Sequence, residues 1–291
     1  MSASPVLVID SCSDLTASMV DHLDVEVLHF PFTLDGQERL DDFGKTLPHR
    51  DFFARMRDGA TPTTAQIPRT ELERVFSQAA ASGRPLVYFG FSSELSSTFD
   101  SAHLARDAVL EQFPSADIRL VDTHSASIAE GLFVHEAATR HADGATADEL
   151  VAWAEENKLR VNGYFTLENL ESLRRGGRIS DAAAAAGTML DIKPLLTLDR
   201  DGKLVLKKSI RGRKKSLAAL VDIVGERRDA AVGETVAIGH ADAPEEAEYI
   251  RSVIEERWAP AEVLMLEIGP VIGAHVGPGM VAVSFWGAER P

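Results

Sequence analysis

One cysteine, Cys12, in 291 residues excludes an internal disulfide and fits a reducing compartment. No stretch approaches the ~18 uncharged apolar residues of a membrane helix, and Met1-Ser-Ala-Ser-Pro5 lacks the basic start and apolar run of a signal peptide. A soluble, cytoplasmic protein is the expectation. Basic residues are outnumbered 30 to 45 by acidic ones, and the net charge of −15 argues against broad nucleic-acid binding, since phosphates would be repelled. There is no Gly-x4-Gly-Lys-Ser/Thr and no Gly-x-Gly-x-x-Gly after the first strand, so ATP or dinucleotide binding through such loops has no support. His135-Glu136 begins like a zinc helix, but Thr139 stands where the second histidine is required. No cofactor and no metal are expected.

What is present is an α/β pattern on a chain too long for one core, which favours two domains. Val6-Leu-Val-Ile-Asp10 reads as a buried strand and residues 25–30 as another, with Asp14 as the cap of a short helix between them. Thr70-Glu-Leu-Glu73 has capping-box spacing, and Leu72, Val75, Phe76, Ala79 and Ala80 follow on one helical face. Strands over 85–91 and 118–121, and helices over 97–113 and 125–141, continue the alternation. That order predicts a mostly parallel sheet covered by helices in an N-terminal domain, residues 1–160. After about residue 160 the texture changes. Strands are expected over 162–165, 195–198, 204–206, 236–239 and 262–268, and helices over 167–174, 215–227 and 244–258. An alanine run occupies 182–186. Asp199-Arg-Asp-Gly202 signals a turn between two of those strands. These make a second α/β domain with a mixed sheet, residues 161–291, whose segment near 268–279 returns to the interface.

Polar residues sit where the first strands end. Asp10-Ser11, Ser92-Ser93 and Asp122-Thr123 each precede a helix, the edge of an open α/β sheet at which ligands bind and where helix N-termini favour an anionic head group. Gly90-Phe-Ser92-Ser93-Glu94 has the placement of a nucleophile elbow but not its second glycine. Thr64 lies in a proline-containing loop and Ser96 and Ser97 in a serine-rich one. Such hydroxyls hold a carboxylate or cap a helix, and for Ser97 and Thr98 capping is a strong alternative. Arg178, after Gly176-Gly177, either binds an anion or pairs with a carboxylate. Ile268-Gly-Pro-Val-Ile-Gly-Ala-His275-Val-Gly-Pro-Gly279 sets one histidine among four glycines and two prolines, which signals close approach to the backbone. Lys203, Lys207, Lys208, Arg211, Arg213, Lys214 and Lys215 gather positive charge in an acidic chain, as an anionic docking site or a solvated face.

Together these segments resemble the DegV family of bacterial fatty-acid-binding proteins, which includes the acyl-carrying subunits of a fatty acid kinase. Asp10-Ser-Cys-Ser-Asp-Leu15 is similar to the family's Asp-Ser-Thr-x-Asp-Leu, with Cys12 for threonine. Pro62-Thr-Thr64-Ala-Gln66 is similar to Pro-x-Thr-Ser-Gln, with Ala65 for serine, and Ser92-Ser-Glu-Leu-Ser96-Ser-Thr98 to Ser-Ser-x-Leu-Ser-Gly-Thr, with Ser97 for glycine. Leu173-Arg-Arg-Gly-Gly-Arg178-Ile179, Asp191-Ile-Lys-Pro194 and the glycine-rich segment ending at Gly279 complete the series in family order.

The resemblance implies a carrier that is not itself an enzyme. One long-chain fatty acid would be held non-covalently, its carboxylate at the domain interface and its tail buried in the C-terminal domain. Thr64 and Ser96 would donate to the carboxylate, with His275 and Ser97 nearby. Arg178 and Arg211 would help engage a partner fatty acid kinase that forms the acyl phosphate. The competing reading is a hydrolase or acyl transferase using Ser96 or Ser92 with His275. A third is an interaction protein whose 203–215 stretch binds an anionic surface.

Overall fold

The computed structural model describes residues 4–180 and 191–291, so the alanine run at 182–186 lies outside the described residues. Four strands, β1 (Val6–Asp10), β2 (Glu26–Leu28), β6 (Leu86–Gly90) and β7 (Ile118–Asp122), form a wholly parallel sheet in the order β2-β1-β6-β7. β1 and β6 are buried almost throughout, as continuous apolar runs covered on both faces must be. Between β2 and β6 the chain makes a small antiparallel sheet, β4-β3-β5, from β3 (Pro31–Leu34), β4 (Gln37–Leu40) and β5 (Thr63–Thr64). The second large sheet is mixed, in the order β10-β9-β8-β13-β11-β12. Its strands are β8 (Val161–Thr166), β9 (Ile192–Leu198), β10 (Leu204–Arg211), β11 (Thr235–His240), β12 (Glu262–Glu267) and β13 (Val281–Trp286). Only β11 and β12 pair in parallel.

Ten helices are described, α1 (Ala17–His22), α2 (His49–Arg57), α3 (Arg69–Ser82), α4 (Thr98–Gln112), α5 (Ile128–Ala142), α6 (Ala147–Asn157), α7 (Glu171–Arg175), α8 (Arg213–Arg227), α9 (Pro244–Trp258) and α10 (Pro270–Val276). Helices α3 and α4 pack together beside β6 and β7. α5 packs against β1 and also against β8, β11 and β13, so one helix lies between the two large sheets. Its buried Ile128, Ala129, Leu132 and Phe133 join the apolar residues of both sheets in one continuous core, while α8 and α9 cover the far face of the mixed sheet with a second. Ten core methylenes at about 0.8 kcal/mol each match the whole stability of a typical domain, so a sheet-spanning core of this size fixes the relative placement of the two sheets.

Two capping expectations are corrected. Asp14 does not cap a helix: Thr16 accepts from Met19 N–H to cap α1, while Asp14, at φ 51°, closes a 3-10 turn and is buried. The spacing Thr70 to Glu73 is not a capping box, because α3 starts at Arg69 after Pro68, whose fixed φ of −58° is already suited to a helix start. The true capping box is Thr146 with Glu149, at the start of α6.

Candidate functional site

A cavity of about 230 Å³ opens where β5, the α4 N-terminus, the α5 N-terminus, α7 and α10 meet the mixed sheet. That is far larger than the water-sized voids a well-packed interior leaves, so the fold builds this space. Thr64, Ser96, Ser97, Arg178 and His275 all line it. Arg211 does not. It ends the edge strand β10, exposed to solvent.

Contacts gather the polar liners into one corner. Thr64 Oγ1 is 2.8 Å from His275 Nε2. The imidazole's other nitrogen lies against Gly176, where a Cβ would be only 2.1 Å from Nδ1. Arg178 donates to the carbonyls of Gly176 at 2.6 Å and Leu95 at 3.1 and 3.2 Å, tying the Gly176-Gly177 turn to the loop before α4. On that loop Ser96 Oγ accepts from Thr98 N–H at 3.2 Å and donates to Thr98 Oγ1 at 3.0 Å. Ser96 therefore carries the capping interaction, whereas Ser97, the N-cap by position, makes no side-chain cap bond.

The electrostatics of this corner favour an anion. Burial, with Arg178 and Arg175 adding to it, pulls the His275 pKa down to about 4, so the imidazole is neutral at pH 7. Arg178 is half-buried, and two helix N-termini, of α4 and α5, point their positive ends at the cavity. His275 Nδ1 is buried without a hydrogen-bond partner among the described residues. The remaining walls are largely apolar, with Phe30, Leu95, Ile128, Phe165, Leu198 and Met280 among them, broken by Gln66, Ser127, Tyr164 and Ser284.

A serine nucleophile is not assembled here. His275 Nε2 meets Thr64, Ser96 is engaged with Thr98, and Ser92 Oγ donates to the Gly202 carbonyl at 3.0 Å. Part of the basic stretch is also internally engaged, since Arg213 pairs with Glu246 and donates to the Gly279 carbonyl, and Lys203 lies 3.6 Å from Glu94. Among the described residues no group of His, Cys, Asp and Glu is arranged to hold a metal, and no helix is long and apolar enough to cross a membrane.

Sequence reasoning missed what seats His275. The Gly269 N–H donates to Asp14 Oδ1 at 2.9 Å, the Val271 N–H to Asp41 Oδ2 at 3.4 Å, and Ser127 Oγ donates to Asp14 Oδ2 at 2.6 Å. Two buried acids thus hold the first turn of α10. The only signal was Asp14 inside the opening motif. Gly273 lets the same helix pack on the Phe52 and Phe53 rings, where a Cβ would sit 2.8 Å from Phe53 Cζ. Gly269 and Gly273 thus serve close packing, while Gly277 and Gly279 take positive φ in the turn that follows α10.

These acids give the fold a measurable pH response. Burial raises Asp10 to about 6 and Asp14 and Asp41 to about 7 from ordinary values of 3.8, with Asp14 adding to the rise at Asp41. A carboxyl whose folded pKa is raised contributes stability that is full below its unfolded value and lost as pH rises through the folded one. His275 has the opposite sign, contributing above about pH 6.5 and losing as pH falls. Going from pH 8 to pH 6.5 should therefore stabilise the protein by at least about 1–2 kcal/mol in urea unfolding, with buried Glu130, which burial pushes well above its ordinary value, acting in the same direction. Asp14→Asn should flatten that slope. An unchanged slope in Asp14→Asn would show that Asp14 is already ionised without penalty.

Residues 5–287 match the family described as the uncharacterised DegV protein family. A DegV domain-containing protein of Clostridium perfringens is 39% identical over 285 residues, 98% of each chain. A Thermus thermophilus DegV family protein, solved for its fatty acid binding, aligns with TM-score 0.85 and 28% identity over 98% of this chain and 99% of its own. The fold is likewise that of the Streptococcus pneumoniae fatty acid kinase (Fak) B3 protein loaded with linoleic acid. There the TM-score is 0.84 at 19% identity, over 98% of this chain and 99% of the other.

Proposed function

The chain belongs to the DegV family, and from that membership and its cavity we propose that it binds one long-chain fatty acid non-covalently, as a carrier without catalysis of its own. The observation that carries this reading is one cavity that joins a polar corner of Thr64, Ser96, Ser97, His275 and Arg178 to otherwise largely apolar walls. An acyl tail gains about 0.8 kcal/mol per buried methylene, so the tail supplies most of the affinity and the corner needs only to fix the carboxylate. Thr64 and Ser96 are the proposed donors, Ser96 by turning its hydroxyl proton from Thr98 Oγ1 to the ligand, with His275 and Ser97 beside them. The 28%-identical Thermus thermophilus protein, a fatty acid binder, supports the ligand class.

The carboxyl would then be offered to a partner fatty acid kinase, with Arg178 holding the loop at the cavity edge and exposed Arg211 in the docking surface. Nucleotide binding belongs to the partner in this scheme, in keeping with a sequence that has no phosphate-binding glycine loop. Native and denaturing mass spectra of protein purified from a bacterial host test the carrier reading. One fatty-acid mass should accompany the native protein and leave on denaturation. A mass surviving denaturation would indicate covalent acyl chemistry instead, and failure of delipidated protein to take up added fatty acid would end the proposal.

A further inference from the structure

We propose that the deep end of the cavity reads an oxygen atom on the acyl chain itself, through Ser284, so that oxygenated long-chain acids (hydroxy or keto) are preferred ligands. This rests on the fatty-acid reading. Along β13, Val281, Val283 and Phe285 belong to the outer core under α8 and α9, while Ala282 and Trp286 belong to the core around α5. Ser284 shares the face of Ala282 and Trp286 and lines the cavity at 1% exposure. Its Oγ has no hydrogen-bond partner among the described residues.

The approach to that hydroxyl depends on a glycine. Gly163, paired opposite Ser284, also lines the cavity, and a Cβ there would stand 3.3 Å from Ser284 Oγ and 3.0 Å from the Ala129 Cβ. That is tighter than an ordinary contact, so only glycine on the paired strand keeps the hydroxyl uncovered, and the one nearby hydroxyl on β9, Thr197, already donates to the Gly163 carbonyl at 2.7 Å. A buried hydroxyl without a partner is costly, and apolar packing alone would place alanine or valine here. Ser284 stands on the mixed sheet, whereas the polar corner is carried by β5, the loop before α4, the turn after α7 and by α10, so this hydroxyl faces the acyl chain rather than its carboxyl end. A serine can donate to a keto or hydroxyl oxygen and can accept from a hydroxyl.

The test uses delipidated full-length wild type and Ser284→Ala, with affinities for octadecanoic acid and a positional series of hydroxyoctadecanoic acids read by displacement of a fluorescent fatty acid. One positional isomer should bind wild type about tenfold more tightly relative to octadecanoic acid, the ratio of one net hydrogen bond, and Ser284→Ala should erase that preference without weakening octadecanoic acid. If both proteins bind octadecanoic acid and show the same hydroxy-to-plain ratio, the Ser284 inference is overturned and the carrier reading stands. If neither binds any of the acids, the carrier reading fails and takes this inference with it.

Discussion

Thr64→Ala combined with Ser96→Ala should abolish fatty-acid retention through purification while leaving a folded protein. Thr64 reaches the cavity from β5 and Ser96 from the loop before α4, so the pair would grip a carboxylate from two elements far apart in sequence. A hydrogen bond to a charged group contributes about 1.5–3 kcal/mol, so losing both should weaken binding roughly a hundredfold or more. The cost to the fold is smaller. Thr64→Ala leaves His275 Nε2 without its 2.8 Å partner, and Ser96→Ala removes the bond that caps Thr98 N–H, about 1 kcal/mol for such a cap. Displacement titration on the delipidated variant, with circular dichroism as the check on folding, decides the matter. Wild-type affinity in the double variant would remove both residues from the carboxylate site.

Gly176→Ala should be nearly as damaging to binding, for a reason of space alone. The backbone at Gly176 has φ −74°, which any residue adopts, yet the added Cβ would lie 2.1 Å from His275 Nδ1 and 2.8 Å from Cε1. The ring has little room to retreat. Its Nε2 is bonded to Thr64, and its helix is pinned by Asp14 and Asp41 at one end and packed through Gly273 on Phe52 and Phe53. Overpacking of this kind costs about 1–3 kcal/mol. The neighbouring Gly177 is the control: it sits at φ 72° with nothing within 4 Å of its Cβ position, so Gly177→Ala carries a backbone cost of about 1–2 kcal/mol without touching His275. Both variants should unfold earlier in urea, but only Gly176→Ala should lose fatty acid. Equal retention by the two would show that the position of His275 is immaterial to the ligand.

The elements legible in the sequence were those with a strong period. The 244–258 helix and the first strand fall where the pattern put them, and α3 buries Leu72, Val75, Phe76 and Ala79 as its spacing requires. The elements passed over were the β3–β4 hairpin with two-residue β5, helices α2, α6 and α10, and β13, a fully buried inner strand of the mixed sheet. Strands of two to four residues are too short to carry a period, and α2 mixes three arginines with two phenylalanines that only the tertiary fold buries. Thr64 belongs to one of these short strands, so the sequence could mark the residue by its motif but not the sheet that aims it.

From the sequence alone came an α/β chain with one parallel and one mixed sheet, its family motifs, and an acidic surface with basic residues gathered near 203–215, because periodicity and composition are local properties. The tertiary structure decided which motif residues meet: Thr64 and His275, separated by 211 positions, are hydrogen-bonded, and Asp14 reaches Gly269 across 255. It also decided protonation. Nothing in their neighbours along the chain would raise Asp14 and Asp41 toward 7 or pull His275 down toward 4, since those shifts come mainly from burial, which exists only once distant segments close over the same space.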